Sequence, residues 1–187
     1  MRHVTSDREH RMNLYLIGYR GSGKSTVAPI VAKSLGWETV DSDDLIEANS
    51  KMSIAQIFAQ LGESDFRQRE SGVISKIGLL TNQVVSLGGS APMFKTNQEA
   101  IARSGKTVYL TADFEILWKR ISNDDSTADR RPDLTDQGGR KEVEQLVAER
   151  HPVYDACADY TIDVGKLNPE EIAQRIVKWF QSVDKQE

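Results

Sequence analysis

The sequence predicts an α/β fold, with one five-stranded parallel sheet and helices on both of its faces. Three observations lead there. Short apolar runs alternate with stretches of helical periodicity, the pattern of a parallel sheet covered on both sides. The first apolar run, NLYLI, passes into a glycine-rich stretch, GYRGSGKS, that opens a helical segment. The alternation lapses once, over residues 122–139, where SNDDSTADRRPDLTDQGG has almost no apolar side chains. A polar stretch of that length inside a compact domain is expected to be either disordered or a functional lid.

In chain order, the strand-like runs are Asn13–Ile17, Glu38–Val40, Gln83–Leu87, Thr107–Thr111 and Tyr160–Val164. After the first run, Val27, Ile30, Val31 and Leu35 fall on one helical face. Pro29 lies within that helix and lacks an N–H, so a small local kink is expected. The last helix has Asn168 to cap it, Pro169 at its first position, and Glu170 and Glu171 at its positive end. Ile172, Ile176, Val177 and Phe180 would pack it on the sheet.

The 187 residues suit one domain, expected over residues 13–187 after a flexible polar tail at 1–12. Lys and Arg total 24 against 28 Asp and Glu, a formal charge of −4, which gives no pull toward nucleic acid or an anionic membrane. Cys157 is the only cysteine, so there is neither an intrachain disulfide nor a cysteine-rich zinc site. A reducing cytoplasm is the simplest location. No apolar run approaches the roughly 18 residues of a membrane helix, and the opening MRHVTSDREHRM lacks the apolar core of a secretory signal. A monomer is expected.

Gly18 to Ser25 fit the G-x-x-x-x-G-K-[ST] pattern of a phosphate loop. Backbone N–H groups would turn toward phosphates, Lys24 would reach the β and γ phosphates, and the Ser25 hydroxyl would sit on Mg²⁺. Strand before and helix after give the context the motif needs. The loop is therefore read as binding a nucleoside triphosphate.

The use of that phosphate is narrowed by what accompanies it. A GTP switch needs an Asp-x-x-Gly at a strand end and an Asn/Thr-Lys-x-Asp. The one Asp-x-x-Gly, Asp136 to Gly139, lies in the polar stretch, and the second pattern is missing. A motor needs partner-facing modules for which the chain has little room. Phosphoryl transfer to a small molecule remains, with the polar stretch closing over the site to exclude water.

The acceptor should meet the carboxyl ends of the strands. The run Glu38–Val40 ends in Asp41-Ser42-Asp43, read either as carboxylates for a Mg²⁺ shell and a hydroxyl, or as a helix cap by Ser42 or Asp43 with Asp44 and Glu47 at capping-box spacing. The run Gln83–Leu87 ends in Gly88-Gly89-Ser90, either a close backbone approach to a ligand or an ordinary tight turn.

Together these pieces resemble the shikimate kinase family from about Asn13 to Phe180. The signatures run in order: Gly18–Thr26, Asp41-Ser-Asp43 with Ile46-Glu47, Phe66-Arg67 with Glu70, Ser86-Leu-Gly-Gly89, Arg131-Pro132, and Arg150-His-Pro-Val-Tyr154. The resemblance implies a three-layer P-loop kinase fold, with a substrate-binding region at about 42–72 and the lid at about 122–139. It implies transfer from Mg-ATP to the 3-hydroxyl of shikimate, on the way to chorismate and the aromatic amino acids.

It also implies roles. Gly21, Ser22, Gly23, Lys24, Ser25 and Thr26 would hold ATP, with Arg120 near the adenine and Arg131 of the lid on the phosphates. Asp43 would meet the ring hydroxyls, Arg67 and Arg150 the carboxylate, and the Gly88-Gly89 backbone the substrate, through an N–H of Gly89. Ser25 and Asp41 would hold Mg²⁺, and Lys24, Asp43 and Arg131 would carry the transfer. Planar arginine forks suit a carboxylate and an anionic Asp suits hydroxyl donors. Without the resemblance, Arg67 and Arg150 read as solvated surface arginines.

Three departures stand out. Ser90 occupies the place of a third glycine, where a positive φ would cost about 1 kcal/mol. Asp133 replaces a leucine after Arg131-Pro132, and the stretch from Arg120 to Arg131 is longer and more acidic than the family's. Two rivals stay open: a gluconate kinase of the same fold, and a nucleotide-binding module that has lost turnover.

Overall fold

The computed structural model describes residues 12–123 and 139–184. The tail at 1–11, the three C-terminal residues and the stretch 124–138, with Arg131 and Asp133, lie outside the described residues.

Five strands form one sheet in the order β2-β3-β1-β4-β5, and every pair is parallel. They are β1 (Asn13–Ile17), β2 (Glu38–Asp41), β3 (Gln83–Ser86), β4 (Gly105–Thr111) and β5 (Tyr160–Asp163). The apolar run Leu14–Ile17 of β1 follows from its central place: all its residues are buried, so neither face needs a solvated side chain. β2 ends the sheet and its residues are exposed or half-buried.

Seven helices are described: α1 (Lys24–Leu35), α2 (Ser42–Ser50), α3 (Ile54–Ile77), α4 (Lys95–Ser104), α5 (Phe114–Ser122), α6 (Gly139–Cys157) and α7 (Pro169–Asp184). Val27, Ala28, Val31 and Ala32 of α1 are buried, as are Ile172, Ala173, Ile176 and Phe180 of α7, and the two helices pack together. Pro29 sits inside α1 without splitting it. A break falls in α3, where Gly62 adopts φ 83° and ψ 171°, a backbone that interrupts the helical ladder. Ser53 and Gln56 close a capping box at the start of α3.

One buried amide fixes how β1 enters the sheet. Asn13 is fully buried, and its Nδ2 donates to the carbonyls of Ile77 (3.1 Å) and Leu80 (2.9 Å) and to the Tyr15 hydroxyl (3.3 Å). Its Oδ1 accepts from the Gln83 N–H at 3.2 Å. The turn between α3 and β3 is thereby tied to the first residue of β1. Asn13→Ala leaves those groups unpaired in a dry place and is expected to cost about 2–4 kcal/mol. A lower urea midpoint at unchanged m measures this; an unaltered midpoint contradicts it.

Candidate active site

The loop between β1 and α1 turns on glycines. Gly18 has φ 142°, and a Cβ there would lie 2.5 Å from the Leu110 carbonyl oxygen of β4. Gly23, at φ 93°, caps α1 in the left-handed region. Lys24 is only 9% exposed, and its Nζ donates to the carbonyls of Gly18 (2.8 Å) and Tyr19 (3.1 Å). The ammonium thus lies across the loop, beside the N-terminus of a long helix, where an anion is favoured.

Three strand ends meet at the next residue. The Ser25 hydroxyl donates to Asp41 Oδ2 at 3.0 Å and lies 3.2 Å from the Ser86 hydroxyl. Asp41 Oδ1 accepts from the Asp43 N–H at 3.0 Å and caps α2. The cap is therefore Asp41, not Ser42 or Asp43, because Asp41 keeps the extended backbone of the strand while α2 starts at Ser42. Glu47 accepts from the Ile54 N–H at 2.9 Å, joining α2 to α3 rather than closing a box on its own helix. One hydroxyl and one carboxylate on adjacent oxygens suit Mg²⁺, which takes few protein ligands and completes its shell with water and phosphate.

Beyond this group stands Gly88. Its N–H donates to the buried Ser42 hydroxyl at 2.9 Å. A Cβ on Gly88 would lie 2.6 Å from Asp43 Oδ1 and 3.4 Å from Glu70 Oε1. A bare backbone here is what lets two carboxylates approach the end of β3. Gly89 faces Tyr154, whose hydroxyl donates to the Gly89 carbonyl, and it lies close to Arg150 Nη1. The Arg150 guanidinium sits 5.6 Å from the centre of the Tyr19 ring, a cation–π contact that joins α6 to the phosphate loop. Burial raises the Tyr154 phenol well above its ordinary range, so it stays a neutral donor.

Arg67 is held on several sides. Its Nε and Nη2 donate to Glu63 Oε1, at 3.2 and 2.9 Å, and its Nη1 donates to Glu70 Oε2 at 3.2 Å and to the Ser90 hydroxyl. Its carbon centre lies about 5 Å from the Phe66 and Phe94 rings. Glu70 is 1% exposed. Burial pushes its carboxyl up, Asp43 adds to the push, and Arg67 and the Ser90 hydroxyl oppose it. Ser90 itself has φ −93° and ψ −14°, so the expected strain of a non-glycine residue is not there. It starts a short 3₁₀ turn at a backbone that any residue adopts.

Arg120 donates to the carbonyls of Gly21 and Val164, both at 3.2 Å, bridging the phosphate loop to the end of β5. A cavity of about 560 Å³ runs from Arg120 past Lys24 and Ser25 to Asp43 and Gly89. Arg67 and Arg150 do not line it: Arg150 Nη1 lies close to Gly89, which does, and Arg67 bonds the hydroxyl of Ser90, the next residue along. Arg131 lies outside the described residues. Sequence reasoning gave no role to Glu63, Glu70, Tyr19 or Tyr154. The helical spacing of Glu63 and Glu70 from Arg67 was a usable signal, whereas Tyr19 fills a variable position of the loop motif and gave none.

The chain matches the family described as shikimate kinase over residues 20–181. It is 41% identical to a shikimate kinase of Rhodopirellula baltica over 175 residues, 94% of each chain. Among solved structures, a shikimate kinase of Acinetobacter baumannii in complex with shikimate superposes with a TM-score of 0.85 at 33% identity, over 93% of this chain and 95% of that one. The shikimate kinase of Aquifex aeolicus gives 0.76 at 30% identity, over 92% and 98%. With the phosphate loop, the parallel sheet and these likenesses in agreement, the chain belongs to the shikimate kinase family of ATP-dependent kinases.

Proposed function

We propose that this site transfers the γ-phosphoryl of ATP to the 3-hydroxyl of shikimate, giving shikimate 3-phosphate and ADP. The observation that carries the reading is one cavity lined by the phosphate loop, Asp43, Gly88 and Gly89, with Arg150 close to Gly89 and Arg67 bonded to the neighbouring Ser90. A rigid ring with one carboxylate and several hydroxyls matches that order of charges.

In this reading the loop from Gly21 to Thr26 cradles the triphosphate, and Arg120 packs beside the adenine. Lys24 leaves the carbonyls of Gly18 and Tyr19 for the β and γ phosphates. Ser25 and Asp41 would hold Mg²⁺, which neutralises phosphate charge. Arg67 and Arg150 clamp the acceptor carboxylate, with Arg67 exchanging its exposed partner Glu63 for the substrate. Asp43 orients the reacting hydroxyl and is placed to take its proton as the oxygen–phosphorus bond forms and the bond to ADP breaks. The Gly88 N–H is engaged with Ser42, so a backbone donor to the substrate falls to Gly89. Arg131 is assigned to the phosphates on the family resemblance alone. Action as a monomer is part of this reading.

ADP release with Mg-ATP, compared for shikimate, gluconate and no acceptor, tests the reading. Release dependent on shikimate supports it; equal release with gluconate, or none with either, rejects it. Lys24→Ala should lower kcat by roughly 10²–10³-fold with the fold retained, and substantial retained turnover means the loop has been misread. Arg67→Ala and Arg150→Ala should each raise the KM for shikimate by about 10- to 100-fold; an unchanged KM in both refutes the clamp. In Gly88→Ala the methyl displaces the Asp43 carboxylate, so kcat should fall at least about tenfold while ATP binding holds. Parent-like kcat in that variant removes Asp43 from the reacting centre.

A further inference from the structure

The place where the family resemblance leads one to expect a glycine is Ser90, and its side chain is engaged with two functional groups. The turn after β3 fixes its backbone: the Gly88 carbonyl accepts from the Ala91 N–H at 3.0 Å, and the Ser90 carbonyl accepts from the Met93 N–H at 2.9 Å. From there the hydroxyl reaches α3. It accepts from Arg67 Nη1 and donates to Glu70 Oε1 at 3.1 Å. Because Arg67 Nη1 also donates to Glu70 Oε2, arginine, serine and carboxylate close a triangle.

We propose that Ser90 is a positioning residue, whose hydroxyl ties the Arg67 guanidinium to the buried Glu70 carboxylate and so holds it in its substrate-clamping orientation. The inference rests on the carboxylate-clamp reading of Arg67. Two carboxylates compete for this arginine: Glu63, with a side chain 64% exposed, and Glu70, at 1%. A substrate carboxylate can take over the exposed side of the fork, where Glu63 binds. It can do so productively only if the buried side stays anchored. A glycine at 90 would leave Nη1 with Glu70 alone, at 3.2 Å, and would strip Oε1 of its hydroxyl donor.

Charge points the same way. The charged groups that act on Glu70 are Arg67 of its own helix and Asp43 of α2. Burial and Asp43 favour the neutral carboxyl, while Arg67 and the Ser90 hydroxyl favour the ionised one. Removing the hydroxyl therefore raises the Glu70 carboxyl further. Arg67 then loses its buried counter-charge at a higher pH than in the parent.

Steady-state kinetics with shikimate, at about pH 6 and about pH 7.5, test this in the full chain for Ser90→Ala, Ser90→Gly, Ser90→Thr, Arg67→Ala and the double variant Arg67→Ala with Ser90→Ala. Ser90→Ala is expected to raise KM about tenfold with kcat within about twofold. The KM increase should be larger at the lower pH, should be largely rescued in Ser90→Thr, and should vanish once Arg67 is already alanine. Ser90→Gly carries the same comparison if alanine impairs folding, since glycine fits this backbone. A parent-like KM in Ser90→Ala, with KM raised in Arg67→Ala, overturns the inference and leaves the clamp intact. An equal increase in both backgrounds also overturns it, because Ser90 then acts without Arg67. An unchanged KM in Arg67→Ala defeats the clamp itself, and the inference falls with it.

Discussion

The site depends on the register by which β2, β3 and β1 lie side by side in one parallel sheet. Ser86, the last residue of β3, is paired with Asp41 of β2 on one side and with Leu16 of β1 on the other. All three strands point the same way, so the segments that follow them leave the sheet at one level. The hydroxyl of Ser25, the last residue of the phosphate-loop motif, then finds both Asp41 and Ser86 within hydrogen-bonding distance. A slip of one residue in β2 would turn Asp41 to the opposite face and dissolve the group. The buried Asn13 amide, which ties the start of β1 to the start of β3, guards that register from the far end of the strands.

From this edge the charges are laid out in sequence. Lys24 sits at the helix N-terminus, Ser25 and Asp41 beside it, then Asp43, and finally the arginines. What separates Asp43 from a simple surface carboxylate is the missing side chain of Gly88, which opens the space its Oδ1 occupies. The arginines are braced by different means. Arg150 lies against the Tyr19 ring, so a residue of the phosphate loop touches a residue of the proposed acceptor clamp. Arg67 rests near two phenylalanine rings and is anchored by a carboxylate too buried to exchange freely with water. Phosphoryl transfer asks chiefly for position and charge neutralisation, and such bracing supplies the first.

Much of this was legible in the sequence. Hydrophobic runs located every strand to within about two residues, and the family of kinases followed from ordered motifs that the comparisons bear out. Local competition was harder to read. In Asp41-Ser-Asp43 each residue is a good cap, and only the strand's end point decides that Asp41 performs it. Glu70 stood beside Arg67 among the motifs, yet its burial depends on Gly88 and Ser90, some 20 residues away in sequence. Ser90, where a glycine is usual, would carry backbone strain only if the position needed a positive φ. The observed negative φ removes that cost and leaves a hydroxyl with two partners. Pro29 lies inside α1, which runs on through it, and the helical ladder breaks at Gly62 in α3. Of the proposed lid, residues 124–138, with Arg131 and Asp133, lie outside the described residues, while Ser122 ends α5 and Gly139 starts α6.

The central claim is that the order of charges along one cavity selects the acceptor and aims one hydroxyl at the phosphate. A crystal structure of the chain with ADP and shikimate tests that claim most directly. The account predicts the acceptor carboxylate on Arg67 and Arg150, a ring hydroxyl on Asp43, and that hydroxyl turned toward the phosphate loop. A carboxylate seated elsewhere, or a ring whose hydroxyls face away from Asp43, would contradict it.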